Sequence, residues 1–142
     1  MKSAIKVNAI KMYTFNKEER LCSKKLLEKL FHTGSSFLVY PFRIVSIPET
    51  LLVDSPAQVV IAVSKRKFKR AVDRNLIKRR VREAYRLNKD ALLYSFLKQK
   101  NLNLIISIHY IGKEITEFQF IEKKLKQALG KLVESYATHE SP

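Results

Sequence analysis

Residues 65–86 constrain what this chain can fold into more than any other stretch. Apolar side chains recur there at Ile77, Val81, Ala84 and Tyr85, steps that gather them on one face of a helix. Around that face stand eleven basic residues, Lys65, Arg66, Lys67, Lys69, Arg70, Arg74, Lys78, Arg79, Arg80, Arg82 and Arg86, opposed only by Asp73 and Glu83. Such a helix has to lay its apolar side on the rest of the chain and keep its charge outside. Arg74, Lys78, Arg82 and Arg86, four apart, form a stripe along its flank. Stacking like charges at i,i+4 costs a few tenths of a kcal/mol per pair. A stripe held at that cost, with two acids to relieve it, suits a helix that meets a polyanion.

The flanking segments say what the helix lies on. Gln58–Ser64 (QVVIAVS) reads as a compact strand with Val59, Ile61 and Val63 on one side. Leu102–Ile111 (LNLIISIHYI) alternates Leu104, Ile106, Ile108 and Tyr110 with Ile105, Ser107, His109 and Ile111, the strongest strand pattern in the chain. Phe37–Ile47 is rich in β-branched and aromatic residues and reads as one strand or two short pieces, with Pro41 marking an edge or a bend. Before it, residues 23–32 form a short amphipathic helix that Ser23 can cap and Gly34 stops. The basic helix is expected over 71–88, with a second apolar segment continuing to about Gln99. Thr116 and Gln119 have capping-box spacing ahead of a final helix to about Tyr136, lined by Phe118, Ile121, Leu125, Leu129 and Leu132. The order α-β-β-(β)-α-β-α makes an α+β sandwich: a single mixed sheet of three to four strands with packed helices.

At 142 residues the chain is most simply one domain, expected over 15–136, with a flexible extension at 1–14 and a tail at 137–142. A net charge of +15 points to nucleic acid or an anionic surface as partner and says nothing of the fold. Cys22 is the single cysteine, so no internal disulfide forms and a reducing cytoplasm fits; a buried or half-buried structural role is expected for it. No apolar run approaches the length of a membrane span. Lys2, Lys6 and Lys11 interrupt the apolar runs at the N-terminus, which lacks the core of a signal peptide.

Catalytic constellations are not visible. The thirteen acids are scattered among lysines, whereas a two-metal nuclease site gathers carboxylates around ions about 4 Å apart. His32 falls at a helix end, His109 in a strand and His139 in the tail, and there is no CxxC, HxxxH or glycine-rich phosphate loop. No catalytic and no metal-binding residue is assigned. The strands on both sides of the basic helix speak against a helix-turn-helix reader, and the sequence beyond it lacks the heptads of a zipper. A sheet bearing aromatics beside a basic helix suits single-stranded RNA. Phe31, Phe37, Tyr40 and Phe42 are the aromatics available, either as core or as stacking platforms. A general RNA-binding or ribosome-associated module and a self-sufficient nuclease remain alternatives on this evidence.

Ser64, Lys65, Ala71, Val72, Arg74, Asn75, Ile77, Lys78, Arg79, Arg82 and Glu83 together resemble the signature region of the bacterial ribonuclease P protein component. Arg20-Leu21, Phe31, Gly34 and Phe42 agree with the N-terminal part of the pattern, and the resemblance covers about residues 15–135. Leu76 stands where the pattern has a second arginine, Lys69 where it has a glycine, and Leu27 where it has an aromatic.

The resemblance implies a protein subunit whose partner, a catalytic RNA, holds the Mg2+ ions and cuts precursor tRNA to release its 5′ leader. It implies a left-handed β-α-β crossover through the basic helix, against the usual right-handed rule. It assigns RNA binding to Lys65, Lys67, Arg70, Arg74, Asn75, Lys78, Arg79 and Arg82, and a leader-binding cleft to Phe31, Tyr40 and Phe42. The expected partners are the catalytic RNA and the precursor leader, with no membrane and no obligate protein partner.

Overall fold

The computed structural model describes residues 15–51 and 53–138. The expected N-terminal extension lies outside the described residues, as does the expected tail from residue 139 onward. A 3₁₀ turn, Lys17–Glu19, is the first element of the described residues. Helix α1, Lys24–Thr33, begins where Ser23 Oγ accepts the Leu26 N–H at 3.3 Å. It ends at Gly34, whose N–H donates to the Leu30 carbonyl. The glycine is required for space: a Cβ there would stand 2.4 Å from Leu30 O and 2.8 Å from Val45 Cγ1.

Strands β1 (Ser35–Val39) and β2 (Phe42–Pro48) form a hairpin around Tyr40 and Pro41. After strand β3, Ala57–Val63, comes the basic helix α2, Ala71–Lys89. A π-helical turn, Asp90–Tyr94, and the short helix α3, Ser95–Gln99, continue its line. Strand β4, Leu104–Tyr110, and helix α4, Phe118–Thr138, complete the domain. The sheet order is β1-β2-β4-β3, antiparallel except where β3 and β4 run parallel across the α2 crossover.

Period-two alternation divides the sheet into two unlike faces. Phe42, Ile44, Val59, Leu104, Ile106, Ile108 and Tyr110 point to the side roofed by α2 and α4, meeting Ile77, Val81, Tyr85, Ile121 and Leu125 in the main core. Val45 and Ile105 point the other way and meet Leu21 and Leu30 in a smaller cluster beneath α1. Three expectations are corrected. Cys22 is exposed, not buried. The Thr116 hydroxyl bonds Tyr110 Oη at 2.9 Å instead of capping α4, and the first turn of that helix is closed by Ile121 N–H to Glu117 O. Helix α4 also runs through Thr138, two residues into the expected tail.

A buried ion pair ties the 3₁₀ turn to the middle of the chain. The Glu19 carboxylate receives Lys89 Nζ, Tyr94 Oη at 2.9 Å and the Asn16 N–H at 2.8 Å. Lys89 is fully buried, and loss of solvent pulls its ammonium down to about 8. The network fastens the opening turn to the junction of α2 with the π-helical turn.

Candidate nucleic-acid interface

What α2 buries decides what it presents. Ile77, Val81, Ala84 and Tyr85 are all fully enclosed, so the opposite side carries Asn75, Arg79 and Arg82 into solvent. The loop before the helix is pinned from within. Phe68 is buried against the Tyr110 ring, centroids 6.2 Å apart, and its N–H donates to Ser64 O. Arg74 Nη1 donates to the carbonyls of Phe68 and Lys69 at 2.8 and 2.9 Å. Lys65, Arg66, Lys67, Lys69 and Arg70 therefore project from a fixed loop.

The expected RNA-binding residues thus share one loop and one helix, but their situations differ. Lys65, Lys67, Arg70, Asn75, Arg79 and Arg82 are exposed, whereas Arg74 and Lys78 are half-buried. Lys67 Nζ also reaches Ile111 O at 2.6 Å, and Arg70 stands 4.0 Å from Asp73. Among the described residues, no carboxylate lies within ion-pair distance of Lys65, Lys78, Arg79 or Arg82. The i,i+4 stripe ends differently: Arg86 is clasped by Glu83 at 2.5 and 3.2 Å. That bond lowers the Glu83 carboxyl pKa and raises that of the guanidinium.

The second surface is the half of the sheet that α1 leaves uncovered. One register row, Leu38–Arg43–His109–Ala62, runs across all four strands there. Leu38 is 60% exposed, Arg43 is exposed and His109 half-buried. Phe31 at the end of α1 and Tyr40 in the hairpin turn are similarly open, at 61% and 60%. Phe42 must be withdrawn from the cleft. It is fully buried on the other face, its ring edge-on to Tyr110 at 5.9 Å, and has no surface on which a base could stack. The neighbours that do line this floor, Arg43 and His109, were missed. Strand alternation carried the signal, because both break the apolar pattern of their strands on the side away from Phe42 and Tyr110. Burial, then Arg43 and Lys67 nearby, hold the His109 pKa below its usual value, so the ring is neutral near pH 7.

Among the described residues, no group of three or more His, Cys, Asp or Glu is placed to hold a metal ion. A cavity of about 810 Å³ does exist, but its walls include Glu18, Glu19, Asp54 and Asp90. That lining repels phosphate, so the cavity is no part of the basic surface. No described helix is long and apolar enough to cross a membrane.

Fold and site define a small basic α+β protein that turns a cationic helix outward on one side and a half-open sheet on the other. The Ribonuclease P family model matches residues 15–133, and the chain belongs to that family. The ribonuclease P protein component of Porphyromonas gingivalis is 33% identical over 117 residues, covering 82% of this chain and 85% of that one. In structure, the chain resembles the ribonuclease P protein of Thermotoga maritima, with a TM-score of 0.64 at 23% identity over 80% of this chain and 96% of that one. It also resembles that of Staphylococcus aureus, with a TM-score of 0.62 at 21% identity over 80% and 94%. These likenesses support the four-stranded mixed sheet and its packed helices.

Proposed function

We propose that this chain serves tRNA processing as the protein component of ribonuclease P, with two RNA strands on its two sides. The outer side of α2 and its loop grips the catalytic RNA through Lys65, Lys67, Arg70, Arg74, Asn75, Lys78, Arg79 and Arg82. The open sheet floor receives the 5′ leader of precursor tRNA, with Phe31 and Tyr40 as stacking platforms and Leu38, Arg43 and His109 beneath. The observation carrying this reading is that Lys65, Arg79 and Arg82, exposed, and Lys78, half-buried, stand on α2 and its loop with no described carboxylate paired to them.

Each surface has a distinct physical task. Cations on α2 displace counterions from phosphates, which supplies affinity without sequence preference. Asn75 differs, since its amide both donates and accepts and can meet a sugar hydroxyl between charged contacts. Aromatics at the cleft stack unpaired bases, which only a precursor offers, and so separate precursor from mature tRNA. Bond breaking belongs to the RNA partner, whose Mg2+ ions activate the attacking water and leave a 5′ phosphate on the tRNA. By lowering repulsion between leader and catalytic RNA, the protein lets the complex form at less Mg2+. Its place of work is the cytoplasm.

Cleavage of precursor tRNA by the RNA alone, the protein alone and the two together, across a Mg2+ series, tests this. The protein alone should leave the precursor intact, and its addition should shift the RNA's activity to lower Mg2+. An unshifted curve defeats the reading. Cutting by the protein alone establishes a self-sufficient nuclease in its place.

A further inference from the structure

The outer face of α4 stands outside everything assigned above. We infer that this face is a second phosphate-binding ridge, which widens the footprint of the catalytic RNA beside α2. The inference rests on the reading that α2 meets that RNA.

Two cross-helix bonds set the geometry. Arg80 Nη1 donates to Thr116 O at 2.5 Å, just before α4, and Asn88 Nδ2 donates to Glu122 Oε2 at 3.0 Å, within its second turn. Going up α2 therefore also goes up α4: the helices lie side by side, point the same way and roof the same face of the sheet. Level with Glu122, α2 is one residue from the π-helical turn, which with α3 carries its line on to Gln99, and α4 runs alongside to Thr138. From Glu122 to Lys131, α4 spans about 13 Å along its axis.

The chemistry of that stretch is cationic. Ile121, Leu125, Ala128, Leu129 and Leu132 are buried, so Lys123, Lys126 and Gly130 occupy the opposite side, all exposed. Gly130 has no atom within 4 Å of where a Cβ would stand, so the described chain covers nothing at that point. Lys131 flanks the ridge with its ammonium 5.1 Å from the Phe37 ring, and Lys124 lies 5.8 Å from the Phe120 ring. No described carboxylate pairs with any of these four lysines: Glu122, beside Lys123, receives Asn88, and the exposed Glu134 follows three residues past Lys131. A helix face whose lysines no described carboxylate pairs, lying beside a face already turned toward RNA, is complementary to the same polyanion.

The test measures the salt dependence of binding between the full chain and a transcript of the catalytic RNA. Lys123→Gln combined with Lys126→Gln should lower the log-log slope by about 1.4–1.8, at about 0.7–0.9 per lost phosphate contact. The Lys123→Arg, Lys126→Arg pair should keep the original slope. Arg79→Gln with Arg82→Gln serves as the reference for α2. If that pair lowers the slope and the α4 glutamines do not, the ridge is refuted while the function stands. If neither pair lowers it, both readings fall.

Discussion

The two faces of the sheet are built from the same alternating strands yet put function in different places. On one face α2 and α4 roof the strands, so Phe42, Ile106 and Tyr110 are buried in the core and the exposed cations stand on the outside of the roof. On the other, α1 is ten residues long and covers only the end around Val45 and Ile105. There the strands themselves remain available, and Arg43 and His109 lie where a ligand can reach the sheet. Such a roof leaves only helix surfaces for recognition. A partial roof leaves a floor that can meet bases.

The largest expected effect concerns the roofed side. Lys89→Ala leaves the Glu19 carboxylate buried with no cation, and removing one partner of a buried pair costs about 3–5 kcal/mol. Urea denaturation should show the loss at neutral pH. A change under about 1 kcal/mol would mean that the opening turn is not fastened to the roof through this pair.

Phe42→Ala and Tyr40→Ala, two residues apart, set the faces against each other. Truncating the fully buried Phe42 should cost about 3–5 kcal/mol of stability and, in the fraction still folded, leave preference for precursor over mature tRNA unchanged. Tyr40→Ala should leave stability within about 0.5 kcal/mol and reduce that preference by about 1–3 kcal/mol if a leader base stacks on the ring. Exchanged outcomes would return Phe42 to the cleft and break the distinction.

This pair of residues also shows what the sequence makes legible. The apolar set Ile77, Val81, Ala84 and Tyr85 located the buried side of α2 without coordinates, because helical periodicity is local. The strand period of two, applied to β2, places Phe42 with Ile44 and sets Arg43 apart, but aromatic chemistry outweighs register in a choice of cleft residue made from composition. The Glu19–Lys89 pair spans 70 positions and leaves no local trace, so a lysine of the basic segment's end that is wholly internal could not be foreseen. Nor could the cleft's extent, which depends on where a short α1 comes to rest. Arg86 lay within reach of local reasoning: Glu83 is three residues before it, a spacing that pairs charges on a helix.

A smaller effect belongs to the outside of the roof. Arg82→Gln should lower the salt slope of RNA binding by about 1 and weaken every RNA target alike, since a phosphate contact carries no sequence. Arg86→Gln should do less, because Glu83 already holds that guanidinium. Equal losses would show that RNA draws Arg86 out of its intramolecular bond.

The smallest effect probes the open floor through pH. The fold holds the His109 pKa below the unfolded value of about 6.5, so the unfolded chain binds more protons once the pH drops to that range. His109 thus favours the folded state fully above about pH 6.5, and its contribution declines as the pH falls toward the folded pKa. His109→Gln should flatten the acid limb of a stability-pH curve below about pH 6.5 and leave the region above pH 7 unchanged. A single-stranded leader on the floor reverses the local balance, because phosphate near Arg43 and Lys67 offsets the repulsion that disfavours the imidazolium. An NMR titration of His109 should therefore show its pKa rising when a leader oligonucleotide is added, and not when a fully paired duplex is added. An unmoved His109 with bound leader would place the strand away from Arg43 and leave the uncovered half of the sheet without the ligand its geometry suits.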